Sequence, residues 1–278
     1  MKYSRHHFLK LTGLSLGGIL AAPAVKAYVQ KDEADKGSML LGLASYTLRK
    51  FSLDETIKMT TRLGLKTISL KAMHMPLESS PETVQQLAAK VRAAGLDLYG
   101  GGVIYMKTKA EVENAFNYAK AAGFNMIIGV PNHDLLPFVN EQVKSSGIKL
   151  AIHNHGPGDN LYRSVNDVYA KVKDLDPKMG LCIDIGHVQR ISEDPSAMLL
   201  KYRDRLFDMH LKDVNKTAEE GSPVEIGRGV IDIPKVMKTL VKMNYKGYIA
   251  IEYEKDENDP MPGLAESVGY VRGVLNAI

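Results

Sequence analysis

Ile183-Asp184-Ile185-Gly186-His187 follows the apolar run Met179-Gly180-Leu181-Cys182, and together they read as a short buried strand breaking off in ligand-type side chains. The pattern recurs in Ile152-His153-Asn154-His155, Met209-His210-Leu211-Lys212-Asp213 and Ile251-Glu252-Tyr253-Glu254. Each stretch closes an apolar run of strand length, so its polar groups emerge at one end of a sheet. A closed ring of parallel strands gathers such ends on a single rim.

Working outward, apolar runs alternate with amphipathic stretches eight times: Met39 to Tyr46, Lys66 to Leu70, Leu96 to Tyr105, Asn125 to Val130, Ile148 to His153, Met179 to Asp184, Arg205 to Leu211 and Gly247 to Glu252. Helix starts are marked by Ser52-Leu53-Asp54-Glu55, Ser80-Pro81-Glu82, Thr108-Lys109-Ala110-Glu111 and Asp194-Pro195. Gly64, Gly95, Gly123 and Gly147 stop the helices before the next strand. Eight such units in about 240 residues match an α/β fold of the (β/α)8 TIM-barrel type. An open doubly wound sheet alternates in the same way, but no Gly-x-Gly-x-x-Gly turn follows the first strand. Gly100-Gly101-Gly102 falls within the third strand and is expected to mark a bend or a close approach to ligand. The one long connection, Lys212 to Val230, is rich in charge and Gly, as lids are.

The chain has 278 residues, 45% hydrophobic and 24% charged, which is enough for a sizeable core. Its formal charge is +4, but Lys2, Arg5, Lys10 and Lys26 stand in a leader without acidic residues, and the remaining body is near neutral. No basic surplus is left to grip a polyanion, so nucleic acid is not an expected partner. Residues 1–27 read as an export signal: Ser4-Arg5-His6-His7-Phe8-Leu9-Lys10 resembles a twin-arginine start with His6 in the second arginine's place, and Val25-Lys26-Ala27 offers a small-residue cleavage site. The apolar stretch between them is short and Gly-containing, so membrane insertion is not expected. Residues 28–38 read as a linker and 39–278 as the barrel, with a periplasmic location expected. Cys182, the single cysteine, sits between Leu181 and Ile183 and reads as a buried, inert thiol.

Outside the leader, His74, His133, His153, His155, His187 and His210 all fall at or just beyond strand ends. The strongest metal set is His153, Asp184, His210 and Glu252, one per unit on strands five to eight. Two imidazoles with two carboxylates suit a divalent Mn, Co, Fe or Zn ion. His155 is in phase with His153 and is an alternative ligand. The competing reading is structural: Asp184 capping the next helix, His210 bonded in the rim, Glu252 paired with a lysine.

The chain from about Leu40 onward resembles the sugar phosphate isomerase/epimerase superfamily of xylose isomerase-like barrels, which also includes metal-dependent apurinic endonucleases. The resemblance rests on Cys182-Ile183-Asp184-Ile185-Gly186-His187, His210-Leu211-Lys212-Asp213, Gly227-Arg228-Gly229-Val230-Ile231-Asp232 and Asn244-Tyr245-Lys246-Gly247-Tyr248 leading into Ile251-Glu252-Tyr253. It implies a metal held by Asp184, His210, Glu252 and a fourth residue. Many relatives carry Glu-Asn-His where this chain has His153-Asn154-His155. That substitution removes a negative charge, leaving a stronger Lewis acid, and removes one of two carboxylates that family epimerases use as paired bases.

The resulting expectation is an exported metal-dependent enzyme that moves a proton next to the carbonyl of a sugar or keto-sugar, with a lean toward the lyase or hydratase end. Glu252, His187 and Lys212 are the candidate catalytic groups, as base, as acid or substrate ligand, and as counter-charge to an enolate oxygen. His155, His133, Arg228 and Glu225 are the candidate contacts to a small carbohydrate. The rival expectations are a phosphodiesterase on the same barrel and a carbohydrate-binding protein without turnover. Oligomeric state is left open.

Overall fold

A computed structural model describes residues 39–278; the export signal and linker expected at 1–38 lie outside the described residues. Among the described residues, no helix is long and apolar enough to cross a membrane. Eight parallel strands form the barrel: β1 (Leu40–Ala44), β2 (Thr67–Leu70), β3 (Asp97–Met106), β4 (Met126–Pro131), β5 (Lys149–His153), β6 (Met179–Asp184), β7 (Leu206–Leu211) and β8 (Tyr248–Ile251). They pair in chain order, and β1 bonds to both β2 and β8, so the sheet closes. That pairing rejects the open-sheet alternative.

The helices obey the expected signals. Ser52 and Thr108 each complete a reciprocal capping box at α1 (Leu53–Arg62) and α3 (Lys109–Ala122), while Ser80 caps α2 (Pro81–Ala93). Gly123 ends α3 and Gly147 ends α4 (Leu136–Ser146), with φ of 69° and 74°, where an L side chain would be strained. Next come α5 (Val165–Val172), α6 (Ile185–Arg190) and α7 (Pro195–Lys201), the last capped by Asp194. After β7, α8 (Ile233–Lys242) precedes β8, and α9 (Met261–Ala277) follows it.

Strand parity sorts the side chains into an outer layer, a barrel floor and a polar rim. Leu150, Ile152, Leu181, Ile183, Met209, Leu211, Ile249 and Ile251 pack in the large apolar cluster with the helices. Their alternating neighbours Ala151 and Cys182, with Tyr99, Met126 and Ile128, form a separate small cluster, against which Phe207 and Tyr248 also pack. Two residues further along β5 and β6, the same parity brings His153 and Asp184 to the rim. The register sets their height, since His153 pairs with Cys182 and Asp184 with His210.

The Gly100–Gly102 expectation resolves as a bend. The β3–β4 register shifts between Gly101 and Ile104, and a Cβ on Gly102 would lie 2.1 Å from the Ile128 carbonyl. The close approach is thus to the backbone of β4.

The Lys212–Val230 connection is tied down at both ends. It contains a two-stranded ribbon, Asp213–Val214 against Pro223–Val224. The buried Asp213 carboxylate accepts from the backbone N–H of Val214, Gly227, Gly229 and Ile231. A Cβ at Gly229 would lie 2.1 Å from Asp213 Oδ1, which explains why Lys212-Asp213 and Gly227-Arg228-Gly229 belong together.

Candidate active site

His153, Asp184, His210 and Glu252 come from the ends of four successive strands, and one ligand atom from each lies within 4.8 Å of all the others. All four side chains are buried. His153 Nε2 is 3.1 Å from His210 Nδ1 and 3.6 Å from Asp184 Oδ2, and His210 Nδ1 is 3.1 Å from Glu252 Oε2. Asp184 also has the capping role of the structural reading: its Oδ1 accepts from the His187 backbone N–H at 2.9 Å at the start of α6. Its Oδ2 points into the cluster. Asn154 steadies this arrangement by donating to the Asp184 carbonyl and accepting from the Asp184 N–H.

Lys212 is buried in the same place, with Nζ 3.0 Å from both Asp184 Oδ2 and Glu252 Oε2. Its third partner is the Glu254 carboxylate, half-buried two residues beyond Glu252. Burial alone would raise Asp184 and Glu252, but the Lys212 ammonium and the adjoining histidines hold both well below the usual carboxylate range. Burial would lower Lys212, yet Asp184 and Glu252 hold it well above its ordinary value. His210 is likewise pushed up to about 9 by Glu252 against burial, whereas burial takes His153 well below its usual range.

This donor set fits a divalent cation. Two imidazole nitrogens and one carboxylate oxygen crowd together where a shared proton cannot serve all three. Asp184 Oδ2 receives no aligned hydrogen bond, despite the nearby ammonium, and His153 Nδ1 and His210 Nε2 are buried without partners. With His210 neutral, as metal ligation requires, Asp184, Glu252 and Glu254 carry three negative charges against the single ammonium of Lys212. A divalent ion would balance that charge, and nitrogen with oxygen donors suits Mn, Co, Fe or Zn.

The other sequence candidates lie nearby or elsewhere. His187 Nε2 stands 3.9 Å from Asp184 Oδ2, and burial lowers its imidazole to about 4, so near pH 7 the neutral ring offers one donor and one acceptor nitrogen beside the cluster. His155, the alternative ligand, is outside the four-atom group; its ring lies 4.5 Å from the His153 ring and its Nε2 is 2.9 Å from the Tyr105 hydroxyl. His133 Nε2 bonds the Leu161 carbonyl at 2.9 Å. Arg228 is held by Glu266 through two hydrogen bonds, and Glu225 accepts from Lys255 and Tyr253. Among the described residues no hydrogen bond or ion pair joins Arg228, Glu225 or His133 to the cluster. His74 is a structural clamp, bonded to Thr56, Ser45 and the Leu48 carbonyl.

Sequence reasoning missed Glu254, Asn154 and Asp208. Glu254 was recoverable, because Glu252-Tyr253-Glu254 puts both carboxylates on one side of an extended chain. The same parity places Asp208 beneath His210, fully buried, with its Oδ2 4.0 Å from His210 Nε2. A cavity of about 470 Å³ opens at the opposite end, beside the strand starts Leu40, Lys149, Leu206 and Tyr248; it contains none of these ligands.

Comparison with known proteins agrees with this architecture. The chain is 32% identical over 133 residues to an inosose dehydratase of Lactiplantibacillus plantarum, covering 42% of this chain and 43% of that protein. It is 26% identical over 145 residues to the rhizopine catabolism protein MocC of Rhizobium meliloti, covering 47% and 44%. These matches span under half the length of either relative. The solved structure of the 3-keto-D-glucoside 4-epimerase YcjR from E. coli shares the fold at a TM-score of 0.68, with 15% identity over 84% of this chain and 99% of that one. The sequence pattern of one family matches residues 57–274, and with the closed eight-stranded barrel it shows that the chain belongs to the xylose isomerase-like TIM barrels.

Proposed function

We propose that this chain is a divalent-metal-dependent enzyme that removes a proton next to the carbonyl of a keto-sugar or keto-cyclitol, with dehydration as the preferred outcome and epimerisation as the neighbouring one. The observation that carries the reading is the convergence of His153, Asp184, His210 and Glu252 beside the buried ammonium of Lys212. The inosose dehydratase relative supports the choice of substrate and reaction.

His153, Asp184, His210 and Glu252 would hold the ion, which when bound supplies Lewis-acid polarisation of the substrate carbonyl. Glu252 takes the proton from the carbon next to the carbonyl, and the C–H electron pair moves toward the carbonyl oxygen. Lys212, within reach of both carboxylates, offsets the charge gathering on that oxygen. Returning electrons break the bond to a hydroxyl on the next carbon, which takes the proton from Glu252 and leaves as water; alternatively a solvent proton added to the other face gives the epimer, and Glu252 returns its own proton to solvent. Glu254 keeps the Lys212 ammonium at the rim of the cluster. We also propose export of the protein by residues 1–27, which cell fractionation of a tagged full-length chain tests directly.

The enzymatic reading is tested by proton exchange in deuterated water, followed by NMR on keto-cyclitols and keto-glycosides. Metal-loaded protein should exchange or eliminate, while chelated protein and Glu252→Gln should fall by about 10²–10⁴-fold. Equal exchange in all three samples would remove Glu252 and the metal from the reaction.

A further inference from the structure

Tyr105, near the end of β3, stays 46% exposed although it adjoins a rim of buried polar groups. Its hydroxyl lies 2.9 Å from His155 Nε2, and the two rings are 5.6 Å apart and inclined by 32°. His155 in turn packs 4.5 Å from the ring of His153. The phenol is therefore keyed to the four-residue cluster while nearly half of the residue's surface stays open to solvent. Lys71, just past β2, completes this side of the mouth: its Nζ donates to the Val103 carbonyl and stands 5.2 Å from the centre of the Tyr46 ring. Four strand ends, those of β1, β2, β3 and β5, thus contribute one wall.

An exposed aromatic fixed by a hydrogen bond costs little further ordering when a ligand covers it. A ring-form sugar or cyclitol has a face of C–H groups that matches such a surface, with hydroxyls directed sideways to a donor such as Lys71. A short open-chain ketone has no continuous apolar face. We propose that Tyr105 is a stacking platform that selects ring-form keto substrates, with His155 holding the phenol in place. This inference rests on the keto-sugar reading above and narrows its substrate to closed rings.

The chain contains no tryptophan, so Tyr105→Trp introduces a single indole reporter. The full-length Tyr105→Trp protein, with Mn²⁺ present, would be titrated with a keto-cyclitol, a methyl keto-glucoside and dihydroxyacetone while its emission is followed. Calorimetry on wild type, Tyr105→Ala and Tyr105→Phe would measure affinity for the same compounds and for Mn²⁺. Saturable changes in indole emission with the two cyclic ketones are expected. In Tyr105→Ala their binding should weaken roughly three- to tenfold, with Tyr105→Phe losing less and dihydroxyacetone and Mn²⁺ affinities unchanged. Cyclic ketones that bind wild type and Tyr105→Ala equally, with unperturbed indole emission, would overturn the platform alone. No binding of any ketone to wild type would overturn it together with the reading on which it rests.

Discussion

Asp208 and His210 stand two residues apart on β7 and share the same interior-facing parity, yet their surroundings differ in kind. At the rim, His210 meets Glu252, His153 and the field of Lys212, and the two rim carboxylates Asp184 and Glu252 stay ionised despite burial. One level down, the Asp208 carboxylate receives the Tyr99 hydroxyl at 3.2 Å, the Cys182 thiol at 3.7 Å and the Met209 N–H at 2.9 Å, but no lysine or arginine. Burial pushes it up to about 6 in spite of these donors. The nearest cation is the His210 imidazole, with Nε2 4.0 Å away, and even with the neutral donors it does not replace the carboxylate's lost hydration, whereas the Lys212 ammonium 3.0 Å from Asp184 and Glu252 does. The rim is thereby poised for charge chemistry, and the floor, where Tyr99 stacks on Tyr248 with ring centroids 3.7 Å apart, is a polar seam within the packing.

The contrast is open to attack first at Lys212. Lys212→Met leaves Asp184, Glu252 and Glu254 facing one another without their ammonium, and should cost about 3–5 kcal/mol in metal-free protein. Denaturant unfolding with EDTA and with Mn²⁺ checks this, since the ion should restore more stability to the variant than it adds to wild type. Equal stability of variant and wild type in EDTA would show that the ammonium is not what keeps the rim ionised.

A smaller effect belongs to the floor. Because Asp208 holds its proton more tightly folded, at about 6 against 3.8, its favourable contribution is complete below pH 3.8 and is lost as pH rises to about 6. The loss is about 3 kcal/mol, at 1.36 kcal/mol for each unit of pKa. Asp208→Asn cannot ionise, so thermal and urea unfolding should show the variant gaining on wild type by most of that amount, about 2.4 kcal/mol, between pH 4 and 7. A constant difference across this range would mean that Asp208 remains ionised throughout. Smaller still, Tyr99→Phe removes the hydroxyl donor and should cost about 1 kcal/mol at pH 4 and about 2 at pH 7, where the acceptor is charged. The same urea titrations at the two pH values read this out.

Much of the scaffold was legible because it is local. Ser52 with Glu55 and Thr108 with Glu111 are capping boxes in sequence and in structure, and Gly123 and Gly147 terminate helices for a reason carried by their own φ angles. The convergence of His153, Asp184, His210 and Glu252 was legible too, since a His, Asp or Glu stands where each of four apolar runs ends. Arg228 and Glu225 were not: both lie in the long connection, whose path is set by Asp213 bonding to backbone N–H groups 14–18 residues away. Asp208 was hidden because a charged residue inside a strand reads as solvent-facing until the opposite wall of the barrel is in place.

Sequence by itself determined the eight βα units, the rim end of the barrel and which residue types could meet there, because strand parity and helix capping act over a few residues. Only the tertiary structure decided that Asp184 serves cap and cluster at once, that Lys212 bridges three carboxylates, and that the acid under His210 has no lysine or arginine beside it. Those outcomes depend on distances across a closed sheet, between groups 26–109 positions apart in the chain, which the strand register and the closure of β1 on β8 set.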